Sequence, residues 1–507
     1  MSIQWDEVTH LNGGLLLLRG RFQEYFESNA FYPPMFDTIT AGFFKIAGVS
    51  VFTGRLVSVT FSLLSLWAVF EFAYRTYGAK TALLSSVLLG IMPGFVWLSR
   101  VAMIETMLVF FFTVSMLFFF SWLRTHQNKF LVLSGLALGL GFLTKYQMII
   151  AGVIMITSLI ILDRGYLKKN FSRFPILIIT IVAIIIPWIF VSYQIYASGM
   201  LNQWIYALEI GNPEKLLYST GLDRFPNWFG QLPTWLQLPM FYSIEMTSPY
   251  YNVHPISFFI YVLSLLGLGL FAWRRKTEDK YLLIWFFVVY IFFTFIANKQ
   301  WRYVLPIFPV LAMSAASLIS SVYGKAQKIW SAKQISLNKK RVTQIFAGLF
   351  IVFTVFAVFY SCSDAYSWVA KDQIRLPLEE ATNYVANRLN ENESVLVVCA
   401  FNLFSQDMVR FYLYTNESIH NQVWQYPELP VDTYTPNFNV SEVITLCKEH
   451  NVKYVMIDEY GITFHYFNTT LTFQDVYEML CYSGKFTLET KDGFGIGHAK
   501  ILIMSFS

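Results

Sequence analysis

Residues 99–122 read SRVAMIETMLVFFFTVSMLFFFSW, and this stretch decides the fold. From Ile104 onward the run is mostly apolar and uncharged except for Glu105, and it is long enough to cross a bilayer core of about 30 Å, which takes about 20 residues. Arg100 and Glu105 stand at its mouth. Charge at a membrane boundary is costly, so an acid and a base held there are candidates for function.

Working outward, nine further segments have the same character. With 104–123, the candidate spans are 55–74, 80–98, 130–144, 147–162, 174–197, 255–273, 281–297, 303–322 and 343–361. Hydrophobic residues make up 55% of the 507 and charged residues 14%, with mean hydropathy +0.48, which excludes an ordinary soluble chain. The expected fold class is a polytopic α-helical membrane protein with about ten transmembrane helices and a C-terminal α/β domain.

Threading these spans back and forth sorts the charges. One side receives Arg75, Lys80, Arg124, Lys129, Arg164, Lys168, Lys169, Arg173 and Arg274, Arg275, Lys276, Lys280. It also receives Lys325, Lys328, Lys333, Lys339, Lys340 and Arg341, for 18 basic residues in all. Short cytoplasmic loops are enriched in Lys and Arg, so this side is read as cytoplasmic. The short connections opposite hold only Arg100, Lys145, Lys299 and Arg302, which are expected to face outward with Asp6, Glu7 and Glu105.

The net charge of +5 hides two opposed parts, because residues 376–507 hold 7 Lys/Arg against 16 Asp/Glu. An acidic tail beside a basic membrane body implies two domains and argues against a nucleic acid partner. Sequons at Asn392, Asn416, Asn439 and Asn468 agree with an external tail, although another at Asn170 falls on the cytoplasmic side. Cys362, Cys399, Cys447 and Cys481 all lie at or beyond the last span and read as ordinary thiols. The polar N-terminus is no cleavable signal, and an external start for residues 1–54 implies an initial helix missing from this sequence.

Outside the spans, three segments organise the chain. In external loop 1–54, Leu11–Leu18 and Met35–Ala47 are apolar but too short to cross, as expected of interfacial helices. External loop 198–254 is rich in aromatic residues and proline, which suits either a headgroup-level belt or a lid over a lipid-linked or sugar substrate. The tail alternates helix signals (378–389 and 440–449) with strand signals (394–400, 453–458 and 500–506). The expected division is a membrane module at 1–323, a basic loop with the last helix at 324–375, and an external α/β domain at 376–507.

The motifs, taken in order, are Asp6-Glu7, Tyr32-Pro33-Pro34-Met35, Arg55-Leu56, Ser99-Arg100 with Glu105, Gly141-Phe142-Leu143-Thr144-Lys145, and Lys299 with Arg302-Tyr303-Val304-Leu305-Pro306. This series resembles the GT-C membrane glycosyltransferases of the protein mannosyltransferase type, which include the lipid A aminoarabinose transferases. The match covers residues 1 to about 323. Two departures stand out: Tyr32 occupies the place before Pro-Pro where relatives commonly carry His or Lys, and the first family helix is absent.

The resemblance implies transfer of a single hexosyl or pentosyl unit from a polyprenyl or dolichyl phosphate to a hydroxyl on protein, lipid or glycan at the outer membrane face. A carboxylate would take the hydroxyl proton and cations would hold the departing phosphate. It assigns the catalytic acids to Asp6, Glu7 and Glu105, with Asp6 as base. The donor phosphate falls to Lys145, Lys299, Arg302 and Tyr303, supported by Arg100 and Arg55. A divalent metal is allowed in this family, and His10 or His254 with the external acids would supply ligands. The competing classes are a transporter or flippase for a lipid-linked or polar solute, and a membrane anchor that presents the tail. Transporters place charges near the midplane in repeated halves, whereas these charges gather at span mouths and no internal repeat is visible.

Overall fold

The computed structural model describes residues 5–29, 32–165, 174–196, 227–247, 254–296, 299–331, 337–372, 375–398, 404–416, 421–427, 438–459, 472–490, 493–496 and 499–507. Residues 166–173, most of loop 198–254, Cys399, the sequons at Asn170 and Asn468 and part of the one at Asn416 lie outside the described residues.

The chain opens with helices α1 (Trp5–Leu18), α2 (Phe22–Asn29) and α3 (Met35–Ala47). Next come α4 (Val51–Tyr77), α5 (Ala79–Gly90), α6 (Pro93–Leu98), α7 (Glu105–Thr125) and α8 (Asn128–Phe142). A 3₁₀ turn at Tyr146–Met148 leads into α9 (Ile149–Leu162), followed by α10 (Phe174–Tyr196) and α11 (Asn227–Gly230). Helices α12 (Thr234–Thr247), α13 (Phe258–Arg274) and α14 (Thr277–Thr294) precede a second 3₁₀ turn, Trp301–Ile307, which runs into α15 (Phe308–Ser331). The long α16 (Leu337–Lys371) ends the apolar part.

All ten candidate segments coincide with helices, with 80–98 divided into α5 and α6. The division falls at Pro93, which begins α6 because its missing N–H is not needed in a first turn. Among the described residues, length and composition mark five helices as able to cross a membrane: Val51–Tyr77, Glu105–Thr125, Phe174–Ile195, Trp301–Ser331 and Lys340–Lys371. Four shorter apolar helices accompany them: Ala79–Gly90, Asn128–Phe142, Tyr146–Leu162 and Phe258–Arg274.

The described residues form two compact units, one of Gln23–Phe36 with Arg55–Ala370, the other of Met1–Phe22, Asp37–Gly54 and Lys371–Ser507. The first unit is the helical bundle. Its centre is aromatic, with Phe72, Phe112, Trp122, Tyr281 and Trp285 fully buried. Phe112 stacks on Trp285 at 5.5 Å and Phe120 meets Tyr281 at 5.0 Å. At one end, buried Asp279 accepts from Tyr77 Oη at 2.7 Å and from Arg274 Nε at 2.7 Å, joining α4, α13 and α14.

The second unit is built on a mixed sheet ordered β2 (Val423–Tyr426), β1 (Ser394–Val398), β3 (Val452–Asp458), β6 (Ala499–Phe506), β4 (Phe486–Leu488), with β5 (Phe494–Ile496) pairing β6. The first three strands are parallel and the rest antiparallel; Val395 pairs with Val423 and Met456 with Ile503. Every residue of β1 is buried, the pattern of a strand covered on both faces. Leu396, Val398, Val455 and Ile457 pack on one face with Val443 and Cys447 of α19 (Val440–Glu449) and Val476 and Leu480 of α20 (Phe473–Tyr482). The amphipathic α17 (Leu378–Ala386) and α18 (Gln406–Leu413) complete the tail.

Helices α1 and α3 belong to this unit. Asn12 Nδ2 donates to the Asp407 carbonyl at 2.9 Å, Phe44 meets Phe411 at 6.4 Å, and Arg21 lies 4.9 Å over Tyr414. A Cβ at Gly14 would stand 2.7 Å from the Thr40 methyl, so glycine permits α1 to approach α3 this closely. Cys362, Cys447 and Cys481 are free; Cys447 is buried, which pushes its thiol up to about 12.

Candidate functional site

The bundle brings several helix ends together. Glu105 opens α7, Lys145 follows the end of α8, and Arg302 and Tyr303 lie in the 3₁₀ turn ahead of α15. Lys145 Nζ donates to Glu105 Oε1 at 3.0 Å, and Arg302 Nη1 stands 4.0 Å from the same oxygen. Lys145 also rests 5.5 Å above the Tyr303 ring. Glu105 is only 2% exposed, while Lys145 and Arg302 keep 20% and 22% of their side-chain surface. A buried carboxylate is thus shared by two partly exposed cations, and the trio carries one formal net positive charge.

Local chemistry places each member. A carboxylate in the first turn of α7 is favoured by the helix dipole, typically by 0.3–1 kcal/mol. Ser58 of α4 bonds both the carbonyl (3.1 Å) and the N–H (3.2 Å) of Met103, fixing the approach to Glu105. A Cβ at Gly141 would stand 2.8 Å from Met148 Sδ and 3.0 Å from Phe111 Cβ, so only glycine lets the end of α8 seat beside α7 and set Lys145. The Met35 N–H donates to the Leu143 carbonyl at 2.9 Å, which ties the Pro-Pro step to the Gly141–Lys145 motif.

The turn carrying Arg302 is equally constrained. Arg302 Nε donates to Gln300 Oε1 at 2.5 Å, and Gln147 Nε2 donates to the Tyr303 carbonyl. Tyr303 stacks on Phe293 at 6.1 Å. Trp301 points inward to Trp368 at 5.9 Å, and Trp368 stacks on Trp97 at 5.5 Å. At Gly94 a Cβ would lie 2.8 Å from the Trp301 ring, so that glycine makes room for it. The motif reading picked out Arg302 and Tyr303 but gave no role to Gln300, two residues from Arg302, or to Gln147 and the three tryptophans, whose contacts are remote in sequence.

The other motif bases are placed differently. Lys299 is 1% exposed and donates to the carbonyls of Phe293 (2.8 Å) and Thr294 (2.6 Å) at the end of α14. Burial draws its pKa down to about 7. Arg100 is half-buried between α6 and α7, and Arg55 is half-buried near the start of α4.

Asp6 and Glu7 lie in the other unit, in the first turn of α1, with Glu7 buried and Asp6 half-buried. One turn along, His10 Nδ1 is 2.8 Å from Asp37 Oδ1, a buried pair joining α1 to α3. Asp37 follows the Pro-Pro step and was not singled out by its motif. Among the described residues no three His, Cys, Asp or Glu side chains gather as a cation site, and His10 engages Asp37.

Comparison with known proteins agrees with this architecture. Residues 32–190 match the family model described as dolichyl-phosphate-mannose-protein mannosyltransferase. An uncharacterized protein of Aquifex aeolicus is 23% identical over 309 residues, 60% of this chain and 55% of that protein. The undecaprenyl phosphate-alpha-4-amino-4-deoxy-L-arabinose arabinosyl transferase of Photorhabdus laumondii is 24% identical over 285 residues, 53% of this chain and 46% of that protein. The chain spans about half the length of the curated relatives it matches.

Among solved structures, ArnT from Cupriavidus metallidurans bound to undecaprenyl phosphate superposes with TM-score 0.55 at 13% identity, covering 99% of this chain and 92% of that one. The oligosaccharyltransferase AglB from Archaeoglobus fulgidus, in complex with an inhibitory peptide and a dolichol-phosphate, gives TM-score 0.55 at 14% identity, covering 92% and 66%. The chain shares the fold of the solved ArnT and AglB structures, and the match to the mannosyltransferase family model is confined to residues 32–190.

Proposed function

We propose that this chain is a membrane glycosyltransferase that moves one sugar from a polyprenyl or dolichyl phosphate to an acceptor hydroxyl. The observation that carries this reading is the buried carboxylate of Glu105 with Lys145 at 3.0 Å and Arg302 at 4.0 Å. Two cations in the half-buried setting of helix ends suit a phosphate whose isoprenoid tail stays in the bilayer. The solved GT-C neighbours hold lipid phosphates, which supports the same donor class here.

In the proposed reaction the acceptor oxygen attacks the anomeric carbon as the bond from that carbon to the phosphate oxygen breaks. The lipid phosphate leaves with the bonding pair, and Lys145 and Arg302 stabilise the charge it gains. Arg302 offers a planar fork for two phosphate oxygens, and Lys145 a point charge steadied by Glu105 and the Tyr303 ring. The hydroxyl proton passes to a carboxylate, assigned by resemblance to Asp6, with Glu7 supporting its helix; such base catalysis contributes about 10²–10⁴-fold. A single displacement inverts the anomeric centre. Arg100 and Arg55 add positive charge to the donor's surroundings.

The sugar is a hexosyl or pentosyl unit, and the acceptor is a hydroxyl on protein, lipid or glycan. We assign the transferase module to 1–323 and place the 376–507 domain outside, opposite the 18 basic residues of the cytoplasmic loops. Purified protein incubated with a panel of polyprenyl-phosphate sugars should release free polyprenyl phosphate from one donor. If no donor is cleaved while the protein carries a labelled lipid across vesicles, the transporter reading replaces this one.

A further inference from the structure

Lys299 is a lysine like Lys145 but its partners are backbone carbonyls, not a carboxylate. Its ammonium is enclosed, with two hydrogen bonds to the Phe293 and Thr294 carbonyls and the rings of Tyr242 and Phe241 at 5.2 and 5.6 Å. The last carbonyls of a helix lack intrahelical partners, and a lysine donating to them satisfies the groups and complements the helix dipole. The rings come from α12 and the carbonyls from α14, so one side chain fastens the two helices to the segment that enters the 3₁₀ turn.

Phe293 connects this fastening to the site. Its carbonyl accepts from Lys299, while its ring stacks on Tyr303 at 6.1 Å. Tyr303 in turn lies beneath Lys145, which holds Glu105. Three residues after Lys299 comes Arg302, on the same turn.

We propose that Lys299 is a positioning residue, which locks the end of α14 and thereby sets Tyr303 and Arg302 at the donor phosphate. This rests on the reading of the Glu105–Lys145–Arg302 cluster as a phosphate site. Coupling between neighbours of this kind is commonly large enough to change binding about tenfold. The role belongs to the two N–H donors. A methionine of similar length fills the space against Tyr242 and Phe241 but cannot bond the carbonyls.

Two measurements on the full chain separate the possibilities. Hydrogen exchange across residues 299–307, with no lipid present, should quicken in Lys299→Met and return toward wild type in Lys299→Arg. Unchanged exchange in the Met variant overturns the proposal, whatever lipid binding shows. The second measurement is affinity for polyprenyl phosphate without sugar in Lys299→Met, Arg302→Ala and the double variant. We expect Lys299→Met to weaken binding about tenfold alone but much less on the Arg302→Ala background. An equal loss on both backgrounds means that Lys299 touches the phosphate itself. If the wild-type protein binds no lipid phosphate at all, the donor reading fails while the exchange result still decides the role of Lys299.

Discussion

Lys145 Nζ lies 3.0 Å from Glu105 Oε1, although 40 residues separate them and each stands at the end of a different helix. The pair joins the start of α7 to the exit from α8, and Arg302 approaches the same oxygen at 4.0 Å. Removing the carboxylate strands two cations. Breaking a buried pair from one side costs about 3–5 kcal/mol, and the 20% and 22% exposure of the cations brings this to about half. Glu105→Ala should therefore unfold at clearly lower temperature than wild type in detergent. The double variant Glu105→Ala with Lys145→Ala should recover part of that loss; simple addition of the two single losses would show that the pair is not coupled.

The cations should reveal themselves in binding. Lys145→Ala and Arg302→Ala should each weaken affinity for polyprenyl phosphate lacking its sugar by about tenfold or more, since charge-assisted bonds are roughly twice as strong as neutral ones. Arg302→Lys should restore only part of the affinity, because the planar fork is lost. Equal affinity of both alanine variants and wild type for the stripped lipid would remove the phosphate site.

Asp6→Asn tests the base. The side chain keeps its size and its place in the first turn of α1 but cannot take a proton. Transfer should fall by about 10²-fold or more while donor affinity stays near wild type. A correctly folded Asn variant with normal turnover would leave Asp6 as a helix-start acid.

Cys481, half-exposed on α20, reports on topology. A membrane-impermeant thiol reagent should label it in intact cells if the tail is external. Labelling confined to lysed cells would reverse the orientation read from the basic loops.

Where local pattern dictates structure, the chain was legible. Apolar runs located the helices of the bundle, and the tail signals fell on α19 at Val440–Glu449 and on β3 at Val452–Asp458. The break inside 80–98 follows from Pro93, which periodicity alone passes over. Glu105, Lys145 and Arg302 could be named because charge at span ends is conspicuous. What each charge touches could not. Nothing in the sequence distinguishes Lys145, facing Glu105, from Lys299, turned onto the carbonyls of α14. Gly141 stands in a motif and Gly94 in none, but the reason each is glycine shows only in the approach of Met148 and Trp301. The attachment of α1 and α3 to the tail through Asn12 and Phe44 joins segments far apart in the chain, which no local pattern records.

Lys299 also gives stability a definite dependence on pH. In the folded protein burial holds its pKa at about 7, against an ordinary value of 10.5. Between these values the unfolded chain binds the extra proton, so raising pH favours the folded state. The contribution is complete above the unfolded value and is lost as pH falls toward 7; below that both states are protonated and the curve is flat. The neutral amine still has two hydrogens for the Phe293 and Thr294 carbonyls, so deprotonation leaves the fastening in place. Each unit of pH in the window is worth at most about 1.4 kcal/mol. Lys299→Met has no such proton, and the difference in unfolding temperature between wild type and this variant isolates the effect from all other groups. That difference should grow in favour of wild type as pH rises from about 7 to 10. A difference that stays constant across this window would mean that Lys299 keeps its ordinary pKa and is better solvated than its 1% exposure implies.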